Sequence, residues 1–157
     1  MKICVFSDSH GYTGPMLRAI AENSPDLIIH LGDGNNGRDL KKIESQFPQI
    51  PLKAVCGNCD LSSNLPEREI FDCGGAKLFC THGHIYRVKT GLSSLLNAGY
   101  FAGANLVLYG HTHIAKHDLL GSMQVLNPGS CGSGASASFA LVVVDDSGAI
   151  SCRIVKL

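Results

Sequence analysis

Residues 1–60, MKICVFSDSHGYTGPMLRAIAENSPDLIIHLGDGNNGRDLKKIESQFPQIPLKAVCGNCD, decide the fold. The apolar runs at 3–6, 27–31 and 52–55 are continuous rather than alternating, as expected of strands buried on both faces. Between them lie two helical stretches. The first, 16–22, follows Thr13-Gly14-Pro15; the second, 38–47, is stopped by Pro48. The order βαβαβ dictates right-handed crossovers and a parallel sheet. In such a sheet the segments leaving the strands gather at one edge, where distant side chains can meet.

Polar groups occupy those exits. Asp8-Ser9-His10 follows the first run, Gly32-Asp33 the second and Gly57-Asn58 the third. Two further apolar runs, 77–80 and 106–109, lead into His82 and into Gly110-His111-Thr112-His113. Two Asp, one Asn and four His form a nitrogen and oxygen donor set suited to Mn, Fe, Zn, Co or Ni rather than to Ca. A pair of ions needs a shared ligand, and the two-oxygen carboxylate of Asp33 is best placed for it. Asp8 and His10 are spaced to share one ion, whereas a turn could send His111 and His113 to different ions. Asn58, a neutral ligand, would keep the ions strongly Lewis acidic. The constellation predicts a metal-dependent enzyme.

Beyond Asn58 the pattern changes. Runs 69–73 and 77–80 flank Gly74-Gly75, a two-residue hairpin signal. A helix is expected over 90–98, ending near Gly99. Runs 114–119 and 124–126 bracket Gly121-Ser122, and runs 139–144 and 150–155 bracket Asp145-Asp146-Ser147-Gly148. A parallel half followed by a more antiparallel half is therefore expected, with two packed sheets, helices outside, and one domain over residues 1–157. Residues 129–134, Gly-Ser-Cys-Gly-Ser-Gly, precede a strand-like run rather than a helix. They satisfy neither a P-loop nor a dinucleotide fingerprint and read as a flexible loop.

Lys plus Arg and Asp plus Glu balance at 13 each, so no net field recruits nucleic acid or anionic lipid. No apolar run approaches roughly 20 residues and no leader pattern precedes the first strand, so a cytoplasmic protein without a membrane span is expected. The low charge content leaves room for a homodimer contact. Seven cysteines read as reduced, mostly buried thiols. Cys56-Gly57-Asn58-Cys59 is formally CxxC, but Asn58 within it is claimed by the metal reading, and redox catalysis is set aside.

The chain resembles the calcineurin-like metallophosphoesterases, and within them the small prokaryotic phosphodiesterases, which also resemble the eukaryotic retromer subunit of the same fold. The residues that carry this are Phe6-Ser7-Asp8-Ser9-His10-Gly11, His30-Leu31-Gly32-Asp33, Gly57-Asn58-Cys59-Asp60, Thr81-His82-Gly83-His84, Gly110-His111-Thr112-His113 and Asn127-Pro128-Gly129-Ser130. No one piece is specific; all of them in order are. The resemblance implies a four-layer α-β-β-α sandwich with two divalent ions, Mn²⁺ first, with Ni²⁺, Co²⁺, Zn²⁺ or Fe²⁺ also compatible. It gives one ion Asp8, His10, Asp33 and His113, and the other Asp33, Asn58, His82 and His111. Such a pair activates a hydroxide that hydrolyses a small phosphoester.

Asn58, Asp33 and His84 are the expected catalytic residues, His84 as a pocket residue and candidate general acid. His30 reads as a hydrogen-bonded core residue, Asp60 as a loop anchor, and Asn127 and Ser130 as neighbours of the site. Many relatives that cleave monoesters carry His after the Asn; Cys59 stands there, which implies diesters or activated esters as substrates. The retromer subunit raises a competing scaffold role, which the full set of seven ligands disfavours.

Overall fold

The computed structural model describes residues 1–132 and 134–157, so Ser133 of the Gly-rich loop lies outside the described residues. In chain order the strands and helices are β1 (Lys2–Phe6), α1 (Gly14–Asn23), β2 (Leu27–His30), α2 (Arg38–Gln46), β3 (Leu52–Ala54), β4 (Arg68–Cys73), β5 (Ala76–Thr81), α3 (Ser93–Phe101), β6 (Leu106–Leu108), β7 (Lys116–Leu120), β8 (Met123–Asn127), β9 (Ser138–Val144) and β10 (Ile150–Lys156), with a 3₁₀ turn at His84–Tyr86. The opening βαβαβ unit forms as read: β1 pairs parallel with β2, and β2 with β3.

Two five-stranded sheets result, ordered β10-β9-β1-β2-β3 and β4-β5-β6-β8-β7. Alternate residues of the central strands go to opposite faces, and both faces are buried. Ile3, Val5, Leu27 and Ile29 meet Leu78, Cys80, Leu106 and Leu108 between the sheets. Cys4, Phe6 and Ile28 face Met16 and Ile20 of α1 and Leu40 and Ile43 of α2. On the far side Phe79 and Val107 pack on Leu95 of α3. Three apolar seams thus separate four layers, α-β-β-α. Each fully buried Ile, Leu or Phe in them contributes about 1.5–3 kcal/mol.

The second half is the more antiparallel one, as expected: the three hairpins form, β4 with β5, β7 with β8 and β9 with β10. Within it β5, β6 and β8 are mutually parallel at the centre of the second sheet, the α3 crossover setting the β5–β6 pair, and β9 returns antiparallel to β1 in the first sheet. One expectation is corrected: Gly99 lies inside α3 rather than ending it. A Cβ there would meet Val107 Cγ2 at 2.5 Å, so this glycine serves close helix-to-sheet packing. The turn out of α3 falls at Gly103, at φ +68°. No described helix is long and apolar enough to cross a membrane.

Candidate metal centre

Five strands, drawn from both sheets, end at this site. β1 leads into Asp8 and His10, β2 into Asp33, β3 into Asn58, β5 into His82, and β6 into His111 and His113. Backbone bonds tie these exits together: Asp8 N–H donates to Gly32 O at 3.0 Å, His10 N–H to Asp33 O at 3.1 Å, and Gly110 N–H to His82 O at 3.0 Å. Asp8, His10, Asp33, His111 and His113 all hold positive φ, between 46° and 68°. Non-glycine residues adopt this left-handed conformation at a cost, and it concentrates at functional sites. Gly57 is required by proximity, because a Cβ there would collide with the Asp33 carboxylate.

The side chains converge with acceptors facing one another. His82 is fully buried, and its Nδ1 lies 2.8 Å from Leu31 O. A carbonyl only accepts, so Nδ1 carries a proton and donates to it, which aims Nε2 into the site. Around Nε2 stand Asn58 Oδ1 at 3.2 Å, Asp33 Oδ2 at 3.5 Å and Asp8 Oδ1 at 3.9 Å. Across the cleft, His113 Nε2 is 3.1 Å and His10 Nε2 3.9 Å from Asp8 Oδ1, and His10 Nε2 is 3.7 Å from Asp33 Oδ2. Yet among the described residues Asp8 Oδ1, though buried, has no aligned hydrogen-bond donor. An orphaned buried carboxylate oxygen costs about 1–3 kcal/mol or more. A ring of lone pairs around it is what a cation relieves, so the residues fit a divalent metal.

Among the described residues, three triads bring potential ligand atoms within 4.8 Å of one another: Asp8, His10 and His113; Asp8, Asp33 and His82; and His10, Asp33 and Cys59. Asp8 is thus as central as Asp33. His111 belongs to none of the three. Its ring lies 5.0 Å from that of His82, and its backbone N–H donates to Asp8 Oδ2 at 3.1 Å. His84 is adjacent, its ring 5.4 Å from His82 and 6.3 Å from His111, with Nδ1 buried and unpartnered among the described residues.

A sequence profile for the calcineurin-like phosphoesterase superfamily domain matches residues 1–147. The chain belongs to that superfamily. It is 35% identical over 137 residues to the probable metallophosphoesterase YsnB of Bacillus subtilis (strain 168), a match covering 83% of this chain and 75% of YsnB. It is 29% identical over 148 residues to the phosphodiesterase MJ0936 of Methanocaldococcus jannaschii, covering 83% and 84%. Among solved structures, a Streptococcus pneumoniae TIGR4 protein described as a predicted phosphoesterase superposes with a TM-score of 0.83 at 28% identity, covering 99% of this chain and 88% of its own. Metal-dependent phosphoester hydrolysis is the coarse activity that this membership supports.

Electrostatics within the phosphoesterase site favour ligand forms. Burial would raise the Asp33 carboxyl, but the Cys59 N–H, donating at 2.8 Å, and His82 together hold it below its usual range. Burial, aided by His82, pushes His84 and His111 down, favouring neutral imidazole. Cys59 is pushed up by burial and by Asp33.

The supporting residues divide into those read from sequence and those missed. Asp60 anchors its loop as expected, accepting N–H bonds from Gly34, Asn36 and Gly57 at 3.2, 2.8 and 2.9 Å. Asn127 holds the 110–113 turn by donating to Gly110 O and Thr112 Oγ1, both at 3.0 Å. Ser130 donates to Asp8 O at 2.8 Å, so residues 129–132 pack on the first ligand loop rather than swinging free. His30 is a core residue, lowered by burial. It does more than fill space: its Nδ1 accepts from Gly32 N–H at 3.3 Å, and its Nε2 lies 3.1 Å from Ser9 Oγ. Ser9 then donates to Asp39 Oδ2 at 2.7 Å, and Gly11 N–H reaches the same oxygen at 2.8 Å. Asp39 and Ser7, which donates to Asp8 Oδ2 at 2.5 Å, were missed. An acidic residue in the first turn of α2 was the only available signal for Asp39.

Proposed function

We propose that this chain is a cytoplasmic phosphodiesterase working with two divalent ions, Mn²⁺ first among them, on a small phosphoester, as one catalytic unit over residues 1–157. The observation that carries it is the buried Asp8 Oδ1, unpartnered among the described residues, with nitrogen and oxygen groups placed on both sides of it. Asp8, His10, Asp33 and His113 would hold one ion, and Asp33, Asn58, His82 and His111 the other. When bound, the ions would supply Lewis acidity, binding phosphoryl oxygens and acidifying a water. The chain itself supplies geometry. Leu31 O fixes the His82 ring, Ser7 and the His111 N–H fix Asp8, and the Cys59 N–H fixes Asp33. His84 stands beside this centre, its ring 5.4 Å from that of His82, and would be the proton donor to a departing alkoxide; burial and His82 disfavour its charged form, so leaving groups that need little protonation are favoured.

Cys59 supports the diester preference. A thiol raised by burial and by Asp33 does not replace an imidazolium as proton donor, so leaving groups that depart readily are favoured. The relative named a phosphodiesterase agrees with that choice. All seven cysteines are free, which suits a reducing compartment. The experiment is a calorimetric titration of chelator-stripped protein with Mn²⁺. Two equivalents per chain are expected, falling to one or none in His82→Ala; a single equivalent in the parent protein would overturn the dinuclear assignment.

A further inference from the structure

Beside the ligand cluster lies a groove of about 470 Å³ that none of the roles above uses. Val88 and Tyr109, both buried, form part of its wall, and Leu92 and the exposed Ile114 complete the apolar lining. It adjoins the metal centre from two sides. Thr112, also in the lining, sits between His111 and His113. Val88 donates its N–H to the carbonyl of Gly83, the residue after His82, at 3.4 Å. Two ammonium groups, Lys89 and Lys116, stand at the rim. Lys116 is held by Asp118 at 2.8 Å, whereas Lys89 makes no ion pair among the described residues.

An apolar trough with a few polar groups, opening from a reaction centre, is the usual form of a substrate pocket, and its volume lies within the ordinary range. A monoester has no second group to place there. A diester does. We propose that the groove receives an ester substituent of the phosphodiester, and that the substituent it fits is an aromatic group bearing negative charge, a carboxylate or phosphate, which Lys89 pairs. The proposal rests on the phosphodiesterase reading and deepens it by naming the substrate class. The aromatic ring lies on Leu92, Tyr109 and Ile114; the anion faces Lys89 at the rim.

Three diesters that all release p-nitrophenolate test this, because the leaving group is constant while the second substituent is methyl, p-nitrophenyl or p-carboxyphenyl. With Mn²⁺-loaded enzyme, kcat/KM should rise in that order, by about tenfold from methyl to p-carboxyphenyl, as expected of a pocket that recognises the group. Leu92→Asp should remove most of the gain from either aryl group, and Lys89→Glu only the gain from the carboxylate. Leu92 precedes the first turn of α3 at its N-cap, where Asp is a favoured residue, so that variant should fold.

Calorimetric binding of the monomethyl esters of p-carboxybenzylphosphonate and methylphosphonate, which like a diester carry two organic groups on phosphorus, to the Mn²⁺-loaded protein separates recognition from chemistry. Tighter binding of the first, by about tenfold and lost in Lys89→Glu, supports the groove even if no diester is turned over. Turnover of all three diesters at equal kcat/KM, or equal affinity for the two phosphonates, overturns the groove while leaving the phosphodiesterase reading intact.

Discussion

Asp8 carries an imbalance that a divalent cation would remove. Its Oδ2 accepts from Ser7 and from the His111 N–H, while its buried Oδ1 faces three histidine nitrogens without an aligned donor. Asp8→Asn should therefore raise the stability of metal-free protein, by about 1–3 kcal/mol, the scale of one buried unsatisfied group. It should also abolish the thermal stabilisation that Mn²⁺ gives the parent protein. Melting curves of both proteins with chelator and with Mn²⁺ check this. A less stable metal-free variant would mean that Asp8 serves the fold rather than the metal. At Cys59 the expectation concerns selectivity: Cys59→His should raise turnover of p-nitrophenyl phosphate relative to bis(p-nitrophenyl) phosphate, on the order of tenfold or more, the range for a positioned general acid. An unchanged ratio in steady-state assays would remove Cys59 from the explanation. The candidate ligands were readable at this scale because donor chemistry is written in residue type and each follows an apolar run. The left-handed φ values were not readable, although Asp, Asn and His tolerate them best.

α2 shows how a helix positions a loop it does not contain. Asp39, in its first turn, is fully buried and holds Ser9 and Gly11 on either side of His10, while His30 links the same serine to Gly32 beside Asp33. Losing such outer partners typically weakens metal binding by about 10–100-fold. Asp39→Ala should show that loss in a Mn²⁺ titration, with about 1–3 kcal/mol of stability lost as two donors go unpaired. Asp39→Asn, which keeps an acceptor, should recover most of the affinity. Equal loss in both variants, or none in either, would contradict a positioning role. No spacing rule could expose this link, because its residues come from three segments that only the fold brings together. The limits of α3 were obscured for a related reason. Gly99 looked like a stop, but Val107 and Met123 on the sheet below explain it. By contrast β1, α1, β2, α2 and β3 were read nearly to their ends, since continuous apolar strands and Pro48 leave few alternatives.

Across the molecule, Cys4, Cys73, Cys80 and Cys131 are buried and Cys56 and Cys152 half-buried, while the site exposes one thiol. Burial raises Cys4 to about 12 and drives Cys80 and Cys131 up further, whereas Cys59 is exposed. Native labelling with a thiol reagent should modify Cys59 first and leave Cys4, Cys80 and Cys131 unmodified until denaturant is added; peptide mapping reads the order. The four layers were foreseeable from strand and helix order together with the family resemblance. The parallel centre of the second sheet and the return of β9 to β1 were not, because short apolar runs do not record which neighbour they pair with. The whole architecture nonetheless serves one edge, where five strand ends bring the candidate ligands together. The most direct test of that claim is turnover of bis(p-nitrophenyl) phosphate by chelator-stripped protein, with and without Mn²⁺, beside Asp33→Ala. Hydrolysis that requires the metal and disappears in Asp33→Ala is the expected result. Absence of turnover with Mn²⁺, Ni²⁺, Co²⁺ and Zn²⁺ alike, or turnover that survives in Asp33→Ala, would contradict it.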